Sequence, residues 1–238
     1  MARDLTVSRV TPSARSSTWL HRLTGDINGT LMTVAIVAAL LFVLLSVLVV
    51  MHPAPFFFDR PIEVAVQSVN AGPFDWFNAF VSAFSGFVGI GVGAGVIAIT
   101  FLFRRRATLL VAFSAIYAAI YNIVNIIVSR PRPTGVAHTT SKLIGYSYPS
   151  GHVGFFVWLS VLAMVLLARR LPRPLYVACW CLAVVLVAAA ALSRIYVGAH
   201  WPSDVVGGLL VGVAWTCSSL SLGRLTRPAF ARARPEAT

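Results

Sequence analysis

The chain has 238 residues, 58% of them hydrophobic and only 11% charged, with a net charge of +12 and a mean hydropathy of +0.83. Such apolarity excludes an ordinary soluble domain and indicates an integral membrane protein. Runs that are apolar all round exclude a β-barrel, whose short strands would alternate, and arginines gathered at the run ends assign the charge to topology and anionic headgroups rather than to nucleic acid.

In chain order, residues 1–30 are polar, Ser/Thr/Arg-rich and without apolar period, and read as a mobile cytoplasmic N-terminus. Residues 31–222 read as an all-α, six-transmembrane-helix bundle, because a bilayer core of about 30 Å takes roughly 20 apolar residues of helix. The spans are expected near 31–51, 80–103, 107–128, 152–168, 174–193 and 204–222. The first is too long for the apolar core of a signal peptide and reads as a retained helix. Between the first two spans, residues 52–79 mix aromatics and prolines, which suits a ledge lying on the membrane surface. Residues 223–238 read as a cytoplasmic tail.

Lys and Arg in short loops stay on the cytoplasmic side. With six crossings, the N-terminus, Arg104 to Arg106, the RRLPR turn at 169–173 and the tail share one side and hold fourteen of the 19 basic residues. Both termini are therefore expected in the cytoplasm, with Arg60, Arg130, Arg132, Lys142 and Arg194 outside. Cys179, Cys181 and Cys217 fall inside apolar runs with neither disulfide nor zinc spacing. The pairs Gly91/Gly95 and Gly208/Gly212 are spaced for close helix approach, expected within one chain rather than between two; oligomeric state is not specified.

The polar chemistry collects in two outer loops. In SRPRP, Arg130 and Arg132 are held stiff by Pro131 and Pro133, and two planar guanidinium forks suit an anion, either a substrate or a lipid headgroup. In YPSGH, Ser150 and Gly151 open the fourth span, where free N–H groups and the helix dipole favour an anion, and His152 follows. In SRIYVGAHWPSD, Arg194 closes the fifth span, while His200 and Asp204 flank the start of the sixth. A carboxylate four residues on could hold one ring nitrogen and leave the other to attack or accept a proton; alone, Asp204 would serve equally as a helix-start anion.

Two histidines, one carboxylate and several cations on one membrane face describe phosphoryl transfer. A Ser-His-Asp acyl-transfer site is a weaker alternative, because Ser150 is only two residues from His152 and such chemistry has little use for arginines. Two further alternatives are a metal site made of His152, His200 and Asp204, whose neighbouring arginines would repel a cation, and a non-catalytic lipid-phosphate-binding or transport protein.

The motifs RPRP, PSGH and SR-x5-H-x3-D, in this order on these helix ends, resemble the type-2 phosphatidic acid phosphatase superfamily, membrane lipid phosphate phosphatases related to vanadium haloperoxidases. The resemblance covers residues 80–222. It implies dephosphorylation of a lipid phosphate without metal or other cofactor, through a phosphohistidine, with a polyprenyl diphosphate, phosphatidylglycerol phosphate or phosphatidic acid as candidate substrates. It also implies His200 as nucleophile, Asp204 as its orienting partner, His152 as general acid, and Arg132, Ser150, Gly151 and Arg194 as phosphate ligands. One position departs from the pattern: Asn125 stands seven residues before Arg132, where the family has a lysine. Asn125 brings a hydrogen bond without charge, so Lys142, the chain's only lysine, or Arg130 is expected to supply the missing cation.

Overall fold

A computed structural model describes residues 26–69, 72, 75–84, 86–134, 145–167 and 171–230. Within these, the secondary structure is helical apart from one isolated antiparallel bridge between Ile27 and Leu222. The helices are α1 (Gly29–Met51), α2 (Asp59–Gln67), α3 (Asp75–Ala83), α4 (Gly86–Ser114), α5 (Tyr117–Val128), α6 (Gly151–Leu167), α7 (Arg173–Tyr196), α8 (Pro202–Ser221) and α9 (Gly223–Phe230).

Four stretches are long and apolar enough to cross a membrane: Gly29–Met51, Val88–Val128, Arg173–Tyr196 and Pro202–Ser221. The shorter Gly151–Leu167 is also apolar. The second expected span divides differently from its sequence reading. A short α3 ends at Ala83, α4 begins at Gly86, and the helix then runs past residue 103 with a break at Arg104, where φ −149° and ψ 50° leave the helical region. Three consecutive arginines at an apolar helix end favour such a break, since their heads must reach water while the flanking chain stays in lipid.

Helix α8 is the centre of the bundle. Of its apolar stretch 61% is buried inside the protein, against 22% or less for the other three long spans. It packs against α1, α6, α5, α4 and α7. On α1, Ala35, Ala38, Phe42 and Val49 recur at helical spacing and are buried, while Leu40, Val43 and Leu44 remain exposed, as expected for a lipid-facing side. Asn28 caps this helix, its side chain accepting from the Leu31 N–H at 3.1 Å.

The contact between α6 and α8 is close because glycines make it. A Cβ at Gly208 would lie 2.3 Å from the Ser150 carbonyl oxygen, and one at Gly212 3.1 Å from that of Gly154. This is the close approach within one chain that the Gly208/Gly212 spacing indicated. Gly91 and Gly95 differ, with nothing within 4 Å of either. The approach sets the PSGH helix start directly against the start of α8. Around it, Phe80 of α3 and Phe84 just after it meet Phe155 and Phe156 of α6, with Phe77 packed behind Phe80; the Phe84 and Phe156 ring centroids are 5.5 Å apart.

Candidate active site

The described parts of the two polar loops, 129–134 with 145–150 and 197–201, converge on the N-terminal ends of α6 and α8. The turn between α7 and α8 is fixed by the Ala199 and His200 N–H groups, which donate to the Arg194 carbonyl at 3.0 and 3.2 Å, and by Gly198 at φ +62°. That turn sets His200 over the start of α8, 4% exposed. Its Nδ1 lies 2.6 Å from the Ser147 carbonyl oxygen. A carbonyl can only accept, so this contact assigns the ring proton to Nδ1 and leaves the Nε2 lone pair available. Burial, reinforced by the cations of Arg132 and Arg194 and by His152, pulls the His200 pKa well below the usual imidazole value; the Ser147 bond opposes this without reversing it. The ring is therefore neutral at physiological pH, the protonation state a nitrogen nucleophile needs.

Asp204 does not touch His200 directly, contrary to the sequence reading. As the third residue of α8 it turns its carboxylate back onto the Trp201 N–H at 2.8 Å, satisfying a donor at the helix start. It also accepts from Ser147 Oγ and forms an ion pair with Arg130 at 2.6 Å. A charged guanidinium is the stronger partner for a buried carboxylate, and the ring nitrogen goes to the Ser147 carbonyl instead.

Arg130 also departs from its expected role. Its guanidinium is fully buried and bracketed by Asp204 and by Asp59, whose carboxylate is 3.0 Å away. The remaining donors reach Ser203 Oγ and the Pro53 and Ala54 carbonyls, and the Phe56 ring covers one face at 5.4 Å. With Nε and both terminal nitrogens engaged, Arg130 is a structural cation and not a phosphate ligand. Asn125 is likewise committed, its Nδ2 donating to the Tyr146 and Tyr148 carbonyls at 3.1 and 2.8 Å. It pins the loop before PSGH rather than gripping an anion. Lys142 lies outside the described residues.

Arg132, Arg194, Ser150 and Gly151, the other residues expected as phosphate ligands, stand at the helix ends and loops around His200. Arg132 is braced by the Ala199 carbonyl at 2.6 Å, next to His200, and by the Gly145 carbonyl at 3.0 Å. Burial lowers its pKa, an effect that the Asp204 charge partly offsets. Arg194, 2% exposed, is held through one terminal nitrogen by Ser193 Oγ, Ser82 Oγ and the Asn78 carbonyl at 2.8, 2.9 and 3.2 Å. Its Nε, together with Ser150 Oγ and His152 Nε2, is buried without a hydrogen-bond partner. Asn78, Thr108 and Thr216 also hold such atoms; buried polar atoms are rarely left so, and the three on motif residues are open to an added polar group. The first N–H groups of α6, beginning at Gly151, add helix-start donors. Among the described residues no three His, Cys, Asp or Glu side chains are placed to hold a metal ion.

Sequence reasoning missed Asp59, Ser147 and Ser203. The chain contains only 7 Asp and Glu, so an acid in an apolar ledge was the available signal for Asp59. Ser147 and Ser203 carried none, because a serine in a turn or at a helix start reads as a local capping or turn residue.

Comparisons with known proteins bear on the family and the fold. The family model described as the PAP2 superfamily matches residues 107–227. An undecaprenyl-diphosphatase of Sulfolobus acidocaldarius is 32% identical over 125 residues, covering 49% of this chain and 56% of that protein. Undecaprenyl-diphosphatase BcrC of Bacillus subtilis is 32% identical over 114 residues, covering 46% of this chain and 54% of that protein. The chain thus spans little more than half the length of either relative. Among solved structures, a transmembrane PAP2 type phosphatidylglycerolphosphate phosphatase from Bacillus subtilis superposes with a TM-score of 0.65 at 18% identity, covering 84% of this chain and 98% of that one. LpxE of Aquifex aeolicus gives 0.54 at 20% identity, covering 69% and 96%. At those identities the likeness is one of fold.

Proposed function

The chain belongs to the PAP2 superfamily, and from that membership and the geometry around His200 we propose that it is a membrane phosphatase removing a terminal phosphate from a lipid phosphate or diphosphate. The observation that carries the reading is the cluster of buried, unpartnered Ser150 Oγ, His152 Nε2 and Arg194 Nε beside a neutral His200 whose Nδ1 is tied to a carbonyl. The candidate substrates are a polyprenyl diphosphate, phosphatidylglycerol phosphate and phosphatidic acid, and the likeness to two undecaprenyl-diphosphatases supports the first.

Arg132, Arg194, Ser150 Oγ and the N–H groups from Gly151 onward hold the phosphoryl oxygens. His200 Nε2 attacks phosphorus, the bond to the bridging oxygen breaks, and His152 donates a proton to the departing lipid oxygen. A phosphohistidine results. His152, now the base, takes a proton from water as that water attacks the phosphorus, releasing phosphate and freeing His200. The arginines supply charge where it develops on the equatorial oxygens, so the reaction draws on positioning and electrostatics.

Six crossings accommodate the chain: α1, the two arms of Val88–Val128 either side of the Arg104 break, α6, α7 and α8. Arg173 and Arg194 stand at opposite ends of α7, about 32 Å apart at helical rise. With Arg104 to Arg106 and Arg173 cytoplasmic, the site faces outward at headgroup depth, where the charged groups escape most of the roughly 3 kcal/mol each would cost at the bilayer centre.

The test is a phosphate-release panel of undecaprenyl diphosphate, phosphatidylglycerol phosphate and phosphatidic acid, with wild type and His200→Ala. Wild-type turnover lost in the variant, with lipid still bound, is expected. Full activity in His200→Ala would overturn the mechanism, and a wild type that binds these lipids without releasing phosphate would favour a non-catalytic binding protein.

A further inference from the structure

Helix α2 lies outside the residues that the family model matches, yet it is tied to the nucleophile's turn at several points. Asp59, its first residue, is completely buried. It accepts from the Ser203 N–H at 2.9 Å, Ser203 Oγ at 2.7 Å, Arg130 at 3.0 Å and the Phe56 N–H at 2.9 Å. Gln67, at the far end of the helix, donates to the Ile195 carbonyl at 3.2 Å. Val66 packs against Val153, Ile195 and Val205, and the Arg60 guanidinium lies over the Trp201 ring at 5.5 Å.

From Asp59 an unbroken polar chain runs to His200. Asp59 holds Arg130; Arg130 holds Asp204; Asp204 accepts from Ser147 Oγ; and the Ser147 carbonyl holds the His200 ring. The Ser147 N–H closes the circuit by donating to the Arg130 carbonyl at 2.8 Å. One guanidinium shared by two buried carboxylates leaves the trio with one excess negative charge, so both acids depend on Arg130 and each fixes the angle at which it meets the other.

We infer that Asp59 is a positioning residue for the phosphatase reaction: through Arg130, Asp204 and Ser147 it fixes the orientation of His200, making the surface ledge α2 part of the catalytic assembly. This rests on the phosphatase reading. All four contacts to Asp59 come from donors, so an asparagine, however turned, sets its NH2 against at least one of them. Asp59→Asn thus breaks the clamp at nearly constant volume, whereas Asp59→Glu retains the charge.

The experiment measures kcat and KM of the full chain in lipid nanodiscs for wild type, Asp59→Asn, Asp59→Glu, Arg130→Gln and the Asp59→Asn/Arg130→Gln double variant. Alongside, it measures the affinity of each for orthovanadate, a five-coordinate phosphate analogue whose binding needs no turnover. Asp59→Asn is expected to lower kcat by about 10- to 100-fold with KM within about threefold, as for other supporting partners of a catalytic group. Its orthovanadate affinity falls in parallel, Asp59→Glu recovers part of both, and the double variant loses little more than Arg130→Gln alone. A general loss of folding would instead move KM and the melting temperature together, with no rescue by glutamate, and would overturn the inference. Unchanged kcat and vanadate affinity in Asp59→Asn would also overturn it. A wild type without turnover would defeat the phosphatase reading, and the vanadate comparison would still decide the role of Asp59.

Discussion

His200 shows how one contact can set both the protonation and the aim of a side chain. The Ser147 carbonyl, 2.6 Å from Nδ1, selects the tautomer, while burial and the nearby cations hold the pKa well below 6.5. The sign of the pH dependence follows. Above about pH 6.5 the ring is neutral in both folded and unfolded chains; as pH falls below that, the unfolded chain takes up a proton that the folded one refuses, and stability is lost. The nucleophile itself stays neutral through this window. The acid limb of kcat/KM is therefore expected below the ordinary imidazole range; a limb with its midpoint near pH 6.5 that tracks His200 would contradict the assignment, and rates on a water-soluble short-chain phosphate between about pH 5 and 8 would measure it.

Much of the site at this scale was readable from the motifs. Arg132, Ser150, His152, Arg194 and His200 come together because three helix ends bring them there, and helix ends are what apolar runs locate best. The partners were not readable. Asn125, Arg130 and Asp204 each had a plausible anion-binding or ring-holding role by type and spacing, yet each is engaged by a residue distant in sequence: Tyr146 and Tyr148, Asp59, and Ser147. Pairings between loops depend on how helices pack, which hydropathy does not encode.

Among the elements, the glycine contact between α6 and α8 controls the register of the site. Gly208 faces the Ser150 carbonyl so closely that an added methyl group would sit 2.3 Å from it. The neighbour is backbone, which cannot swing away as a side chain could. Gly208→Ala is expected to push the PSGH start off α8, costing about 1–3 kcal/mol and most of the activity. Gly95→Ala, with nothing within 4 Å, is expected to leave both intact. Thermal unfolding in detergent and phosphate release on the same samples would check the pair, and equal behaviour of the two variants would refute the packing argument. The break at Arg104 is an element-scale feature that hydropathy reported only as two runs separated by arginines.

For the whole molecule, composition alone identified a helical membrane protein, because lipid admits few other solutions. Four long spans and a shorter apolar helix are evident in the structure; the proposal of six crossings and of their orientation draws on the basic residues and on the Arg104 break. A cysteine placed at Phe57, 91% exposed on the ledge, in a chain lacking Cys179, Cys181 and Cys217, should react with a membrane-impermeant thiol reagent added outside intact cells. A cysteine at Arg105 should react only after the cells are opened, and the reverse pattern would invert the topology.

Covalent capture of phosphorus by His200 is the central claim. The most direct measurement is acid-free quenching of the enzyme turning over a lipid diphosphate labelled at its terminal phosphate, followed by mapping of the label on the chain. Acid-labile, alkali-stable label on His200 during turnover, missing from His200→Ala, is the predicted result. Turnover with no label on the protein at any time, or label on a residue other than His200, would contradict the account.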